Sequence, residues 1–86
     1  MPIGSCSDRQ LVDLCGEVTS VTISPHAGKP ALEVELRDGS GTATLVWLGR
    51  RRIPGIEAGR EIKVSGRISC RDDDRRVIFN PKYELR

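Results

Sequence analysis

The apolar side chains of this chain recur with a two-residue rhythm, which few folds can accommodate. Leu32, Val34 and Leu36 alternate with Glu33, Glu35 and Arg37, and Ile62, Val64, Gly66 and Ile68 alternate with Glu61, Lys63, Ser65 and Arg67. Successive side chains of a strand point to opposite faces, so each run reads as a strand with one dry and one wet face. The three-to-four spacing of an amphipathic helix is absent. The chain is expected to be all-β.

Within residues 9–23, Val12, Leu14, Gly16 and Val18 share one parity and Val21 and Ile23 take the other. That slip predicts a β-bulge near Thr19 and Ser20. A long first strand with a bulge and an internal glycine is how one strand of a small barrel serves both of its sheets. Two prolines and a glycine in residues 24–30 predict an unpaired loop. Residues 31–37 form a second strand, and Asp38-Gly39-Ser40-Gly41 a tight turn in which at least one residue takes a positive φ. Residues 42–48 return as a third strand. There Ala43, Leu45 and Trp47 read as the core parity, which leaves Glu33, Glu35, Arg37, Thr44 and Val46 on an exposed face. Residues 49–59 are too broken by Pro54, Gly55 and Gly59 for more than one helical turn. Residues 61–69 give a fourth strand, residues 71–75 a charged turn, and residues 76–80 a short fifth strand stopped by Pro81. Five strands in so short a chain imply a closed barrel over residues 9–86, preceded by a flexible segment, residues 1–8.

Eighty-six residues suffice for one small core, and with 3% aromatic residues that core must be aliphatic. No apolar run approaches a membrane span, and the N-terminus lacks the basic start and apolar stretch of a signal peptide, so a cytoplasmic protein without a membrane partner is expected. Cys6, Cys15 and Cys70 show no C-x-x-C spacing and read as reduced thiols, and His26 is the only histidine. No metal or cofactor is expected. With no Ser-His-Asp set, no Gly-rich phosphate loop and no carboxylate pair in an apolar cleft, the chain reads as a binding module, not an enzyme. Residues 1–49 carry three Lys/Arg against six Asp/Glu, and residues 50–86 carry eleven against six, so the C-terminal half is the one suited to a polyanion.

The order Gly16-x-Val18, then Leu32 through Gly41, then Val64-x-Gly66-Arg67, then Asn80-Pro81-x-Tyr83 resembles a nucleic-acid-binding OB-fold. It is similar to the anticodon-binding modules of class II aminoacyl-tRNA synthetases and the wedge domain of RecG helicases. Leu45 to Ile56, with Asn80 to Leu85, resembles small stand-alone actinobacterial OB-fold proteins. The resemblance implies a five-stranded Greek-key barrel whose second and third strands, with loops 24–30 and 70–75, make the ligand surface. Carried over by position, Glu33, Glu35, Arg37, Thr44 and Val46 face the ligand. On this reading the face offers no aromatic platform and sets two carboxylates toward a polyanion. Arg50, Arg51 and Arg52, with Arg75, Arg76 and Lys82, would contact phosphates, because guanidinium forks match phosphate oxygens. Trp47 reads as core. Tyr83 is either a free aromatic for a base or a cap on the barrel end with its hydroxyl bonded to backbone. Asn80 reads as fixing the strand exit, and Asp72, Asp73 and Asp74 as a solvated turn. The implied function is binding of single-stranded or structured DNA or RNA, largely through phosphate contacts, weakly and without sequence preference, with single-stranded DNA or RNA as the expected partner. The alternative is a protein partner on the same face, favoured by Glu33 and Glu35, the few aromatics and the net charge of +2.

Overall fold

The computed structural model describes residues 2–70 and 75–86. Its strands are β1 (Leu11–His26), β2 (Lys29–Arg37), β3 (Thr42–Leu48), β4 (Glu61–Cys70), β5 (Arg76–Phe79) and β6 (Lys82–Leu85). They form one sheet in the order β1-β2-β3-β5-β4, closed into a barrel by β1–β4 pairing, with β6 added alongside β4. The β3–β5 ladder is parallel and the other ladders are antiparallel. This is the expected Greek-key OB barrel.

β1 explains the closure. Residues 11–17 pair with β4, residues 17–26 pair with β2, and the register shifts between Val18 and Ser20, where alternation breaks in the sequence. At the crossover a Cβ on Gly16 would lie 2.6 Å from the Arg37 carbonyl oxygen, so only glycine lets β1 pass from one sheet to the other. The fifth barrel strand is divided into β5 and β6. Asn80, at φ 51°, donates its backbone N–H to Val46 O at 2.6 Å, and its side-chain Oδ1 accepts from Leu48 N at 3.0 Å. These bonds end the ladder with β3, and Pro81 then sends the chain along β4 alone. Asn80 fixes the strand exit, as expected.

The core is aliphatic, built on Leu14, Val18, Leu32, Val34, Leu36, Leu45, Ile62, Val64, Ile68 and Ile78. Trp47 is 5% exposed; its Nε1–H donates to Pro81 O at 3.0 Å and its ring meets Tyr83 edge-on. Ile53 and Ile56 enter the core from the β3–β4 connection, which contains no helical turn.

Three local features depart from the sequence reading. Residues 24–30 are not an unpaired loop, because β1 and β2 continue to a two-residue turn, Ala27-Gly28, with φ of 51° and 78°. Positive φ at both positions is the type I′ geometry that matches strand twist. His26 and Lys29 then form the hydrogen-bonded closing pair, so Pro25 and Pro30 fall at a pair that needs no N–H between the strands. In the turn at residues 38–41 no residue takes a positive φ. Asp38 holds it instead, with Oδ1 accepting from Ser40 N (2.7 Å), Ser40 Oγ (2.6 Å) and Gly41 N (3.1 Å). Lastly, residues 3–5 form a 3-10 turn whose Ile3 is fully buried in the core. Ile3 N donates to Asp38 Oδ2 at 2.9 Å and Gly4 N to Ser40 Oγ at 2.9 Å, which latches this segment to the β2–β3 turn.

Candidate functional site

The sheet formed by β1, β2, β3 and β5 has an outer face whose composition follows from register. Ser24 opposes Ala31, Glu33 opposes Val46, Glu35 opposes Thr44, and the parallel β3–β5 ladder sets Thr44 beside Val77 and Val46 beside Phe79. Directly paired residues share a face. The floor is therefore Ala31, Val46 and Val77, a small apolar cluster separate from the barrel core, with Thr44 beside it. Thr44 and Val46, expected to be exposed, are buried (3% and 2%), because the neighbouring strands set Glu33 and Glu35 on one side of them and Val77 and Phe79 on the other. They can shape the floor, but side chains around them must make the outward contacts.

Those side chains form a rim. Phe79 is 38% exposed and its ring meets His26 edge-on, centroids 6.2 Å apart, so the face has the aromatic surface that the sequence reading denied it. Exposed Leu48 stands at the end of β3. Glu33 Oε1 is 2.9 Å from Arg75 Nη2 and its Oε2 is 4.0 Å from His26 Nε2, while Glu35 Oε1 accepts from the Thr44 hydroxyl at 3.0 Å. The Glu33 charge is thus matched within the protein, and Glu35 is hydrogen-bonded at the floor. Repulsion of a polyanion by this pair is correspondingly weakened.

Of the remaining expected contacts, Arg50, Arg51 and Arg52 are all exposed and directly follow β3. Gly49 N bonds to Pro30 O at 2.8 Å, which joins this basic run to the Lys29 end of the face. Arg37 is exposed at the far end of β2, opposite Thr42. Arg76 turns to the N-terminal segment, its Nη2 donating to Gly4 O at 3.4 Å. Lys82 and Tyr83 lie on β6, on a groove of about 310 Å³ shared with Lys63, Ser65 and Glu84. Tyr83 caps Trp47 by ring contact, without the expected backbone bond from its hydroxyl among the described residues. The structure thus gathers Thr44, Val46, Arg75 and the Arg50–Arg52 run around one face, and sets Arg76, Lys82 and Tyr83 elsewhere.

Asp72, Asp73 and Asp74 lie outside the described residues. Among those described, no group of three His, Cys, Asp or Glu side chains could hold a metal ion, and no helix is long and apolar enough to cross a membrane. Cys6, Cys15 and Cys70 form no disulfide among the described residues, and burial pushes the Cys6 thiol above its ordinary value.

Sequence reasoning missed Phe79, His26 and Lys29. The first two were legible only through pairing: Ile78 is core, so Val77 and Phe79 must face outward, and His26 joins them once residues 24–26 are strand. A family model described as an OB-fold nucleic-acid-binding domain matches residues 12–86. The chain belongs to this family. As an OB-fold nucleic-acid-binding domain it carries its open sheet face where an extended ligand could lie across β2 and β3. No curated protein matches the chain.

Proposed function

We propose that the protein is a non-catalytic, cytoplasmic module that binds single-stranded nucleic acid across the outer face of β2, β3 and β5. The observation that carries this reading is the exposed Phe79 ring beside His26, set over the small-residue floor of Ala31, Thr44, Val46 and Val77. A base can stack on such a ring whatever its identity. Lys29, Arg50, Arg51 and Arg52 at one end of the face suit phosphates, whereas Glu33 is paired with Arg75 and Glu35 is hydrogen-bonded to Thr44. One aromatic platform and a few exposed cations support weak binding without sequence preference.

The test is a fluorescence-anisotropy titration of a labelled oligothymidylate at two salt concentrations. Contact with three to five phosphates gives a slope of log K against log salt of roughly −2 to −3.5. The triple substitution Arg50→Glu, Arg51→Glu, Arg52→Glu should flatten it. Phe79→Ala should weaken binding about 5- to 100-fold with the salt slope unchanged, the loss of one stacked base. Absence of binding at low salt would overturn the reading in favour of a protein partner.

A further inference from the structure

The second half of β1 is an open edge. Val18 N–H bonds to Arg60 O (2.9 Å) and Val18 O accepts from Gly59 N (2.7 Å), which closes that side as far as Val18. From Thr19 to His26, β1 pairs with β2 on one side and, among the described residues, with nothing on the other. Because His26 and Lys29 close the hairpin, the ladder alternation turns the N–H and C=O of Val21 and Ile23 toward the open side. Their side chains are 38% and 58% exposed, on the sheet face that carries Leu32 and Val34. Residues 18–28 contain no Asp, Glu, Lys or Arg in a chain that is 30% charged, although soluble proteins ordinarily guard an open edge with charge.

We propose that this edge pairs with the same edge of a second copy, β1 against β1, antiparallel about a two-fold axis at Thr22. The argument for a copy of this chain is self-complementarity. Ser20-Val21-Thr22-Ile23-Ser24 reads nearly alike in both directions. Antiparallel pairing about Thr22 sets Val21 against the partner's Ile23, Ser20 against the partner's Ser24, and Thr22 against itself. The outward N–H and C=O of Val21 then exchange both bonds with those of Ile23 across the join. Apolar side chains meet on one face of the joined sheet and hydroxyls on the other, the cross-strand combinations that stabilise a ladder. An arbitrary extended peptide would satisfy the backbone but not this side-chain pattern. The bulge at one end and Pro25 at the other limit the paired segment, so the dimer is small and dissociates on dilution. A two-fold axis perpendicular to the sheet keeps the outer faces of both copies on the same side. The pairing does not depend on nucleic-acid binding.

The experiment is sedimentation equilibrium on the full chain without nucleic acid, from ~10 μM to ~1 mM, a range that reads dissociation constants typical of small interfaces. The average mass should rise from the 9.5 kDa monomer toward twice that value. The double variant Val21→Lys, Ile23→Lys should stay monomeric throughout while keeping the wild-type circular dichroism spectrum, since neither side chain belongs to the buried core. Register is read by Thr22→Cys in a Cys15→Ser background. Two opposed residues at a non-hydrogen-bonded pair have Cα atoms about 4.5 Å apart, within disulfide reach, so oxidation should yield a covalent dimer. A wild-type chain monomeric across the range, a dimer that survives the double lysine variant, or a dimer that Thr22→Cys does not cross-link would each overturn the proposal.

Discussion

Asp38 joins the N-terminal segment to the barrel through its charge, and this makes stability depend on pH in a calculable way. Burial by itself would raise its pKa. The hydrogen bonds from the Ser40 hydroxyl and from the backbone N–H groups of Ile3, Ser40 and Gly41 outweigh that and lower it from 3.8 to about 2. A carboxylate whose folded pKa is depressed contributes stability that is present in full above 3.8 and lost as pH falls through about 2. Taken at face value the interval corresponds to roughly 2.4 kcal/mol, and partial solvent access reduces this to about 1–2 kcal/mol. Asp38→Ala should therefore be less stable than wild type by about that amount at pH 7, with the orphaned Ile3 and Gly41 donors adding to the loss. Urea unfolding followed by Trp47 emission, repeated between pH 7 and pH 2, reads the difference directly. The two stability curves should run apart at neutral pH and draw together as pH falls from 4 to 2, because only the wild type has a charge there to lose, with the orphaned donors leaving a smaller constant difference. Curves that keep a constant separation down to pH 2 would refute the latch, leaving a purely steric role for the Asp38 side chain.

Trp47→Ala removes a buried ring and the Nε1–H bond to Pro81 O, a loss of about 3–5 kcal/mol that should leave the chain largely unfolded at room temperature by circular dichroism; wild-type emission should be blue-shifted and little altered by oligonucleotide. Ala27 sits at a positive φ in a type I′ turn that asparagine adopts more readily, so Ala27→Asn should stabilise by about 0.5–1 kcal/mol, a rise in Tm of roughly 3–6 °C in a thermal melt.

The barrel was legible because alternation and punctuation both act locally. A bulge shows as a parity change, and that change near Thr19 located the place where β1 passes from β4 to β2. Prolines at residues 25 and 30 misled because a missing donor matters only where the ladder asks for one, and the demand is set by the turn that pairs the strands rather than by composition. The turn at residues 38–41 misled in the opposite sense. Its glycines suggested positive φ, yet the Asp38 side chain meets the turn's N–H groups without backbone strain, and the close approach falls on Gly4, where a Cβ would lie 2.6 Å from Ser40 O. Nothing periodic marks Ile3, a lone isoleucine between Pro2 and Gly4, so its place in the core is visible only in three dimensions.

The face was harder to read than the fold for a reason that lies in pairing. On β3 both parities are buried, one in the core and the other among the side chains that β2 and β5 set beside it on the outer face, and a strand buried on both parities does not announce which side meets a ligand. The β3–β5 ladder joins residues more than thirty positions apart in parallel, so no hairpin rule predicts that Val46 will stand beside Phe79. The same distance hides the partner of Glu33. Two carboxylates on β2 argue against a polyanion when read along the strand, but Arg75 reaches Glu33 at 2.9 Å and the Thr44 hydroxyl reaches Glu35 at 3.0 Å. Charge counted along a sequence overstates repulsion wherever folding supplies the counter-charge, and on this face the acidic residues that weighed against nucleic acid have their partners within the sheet.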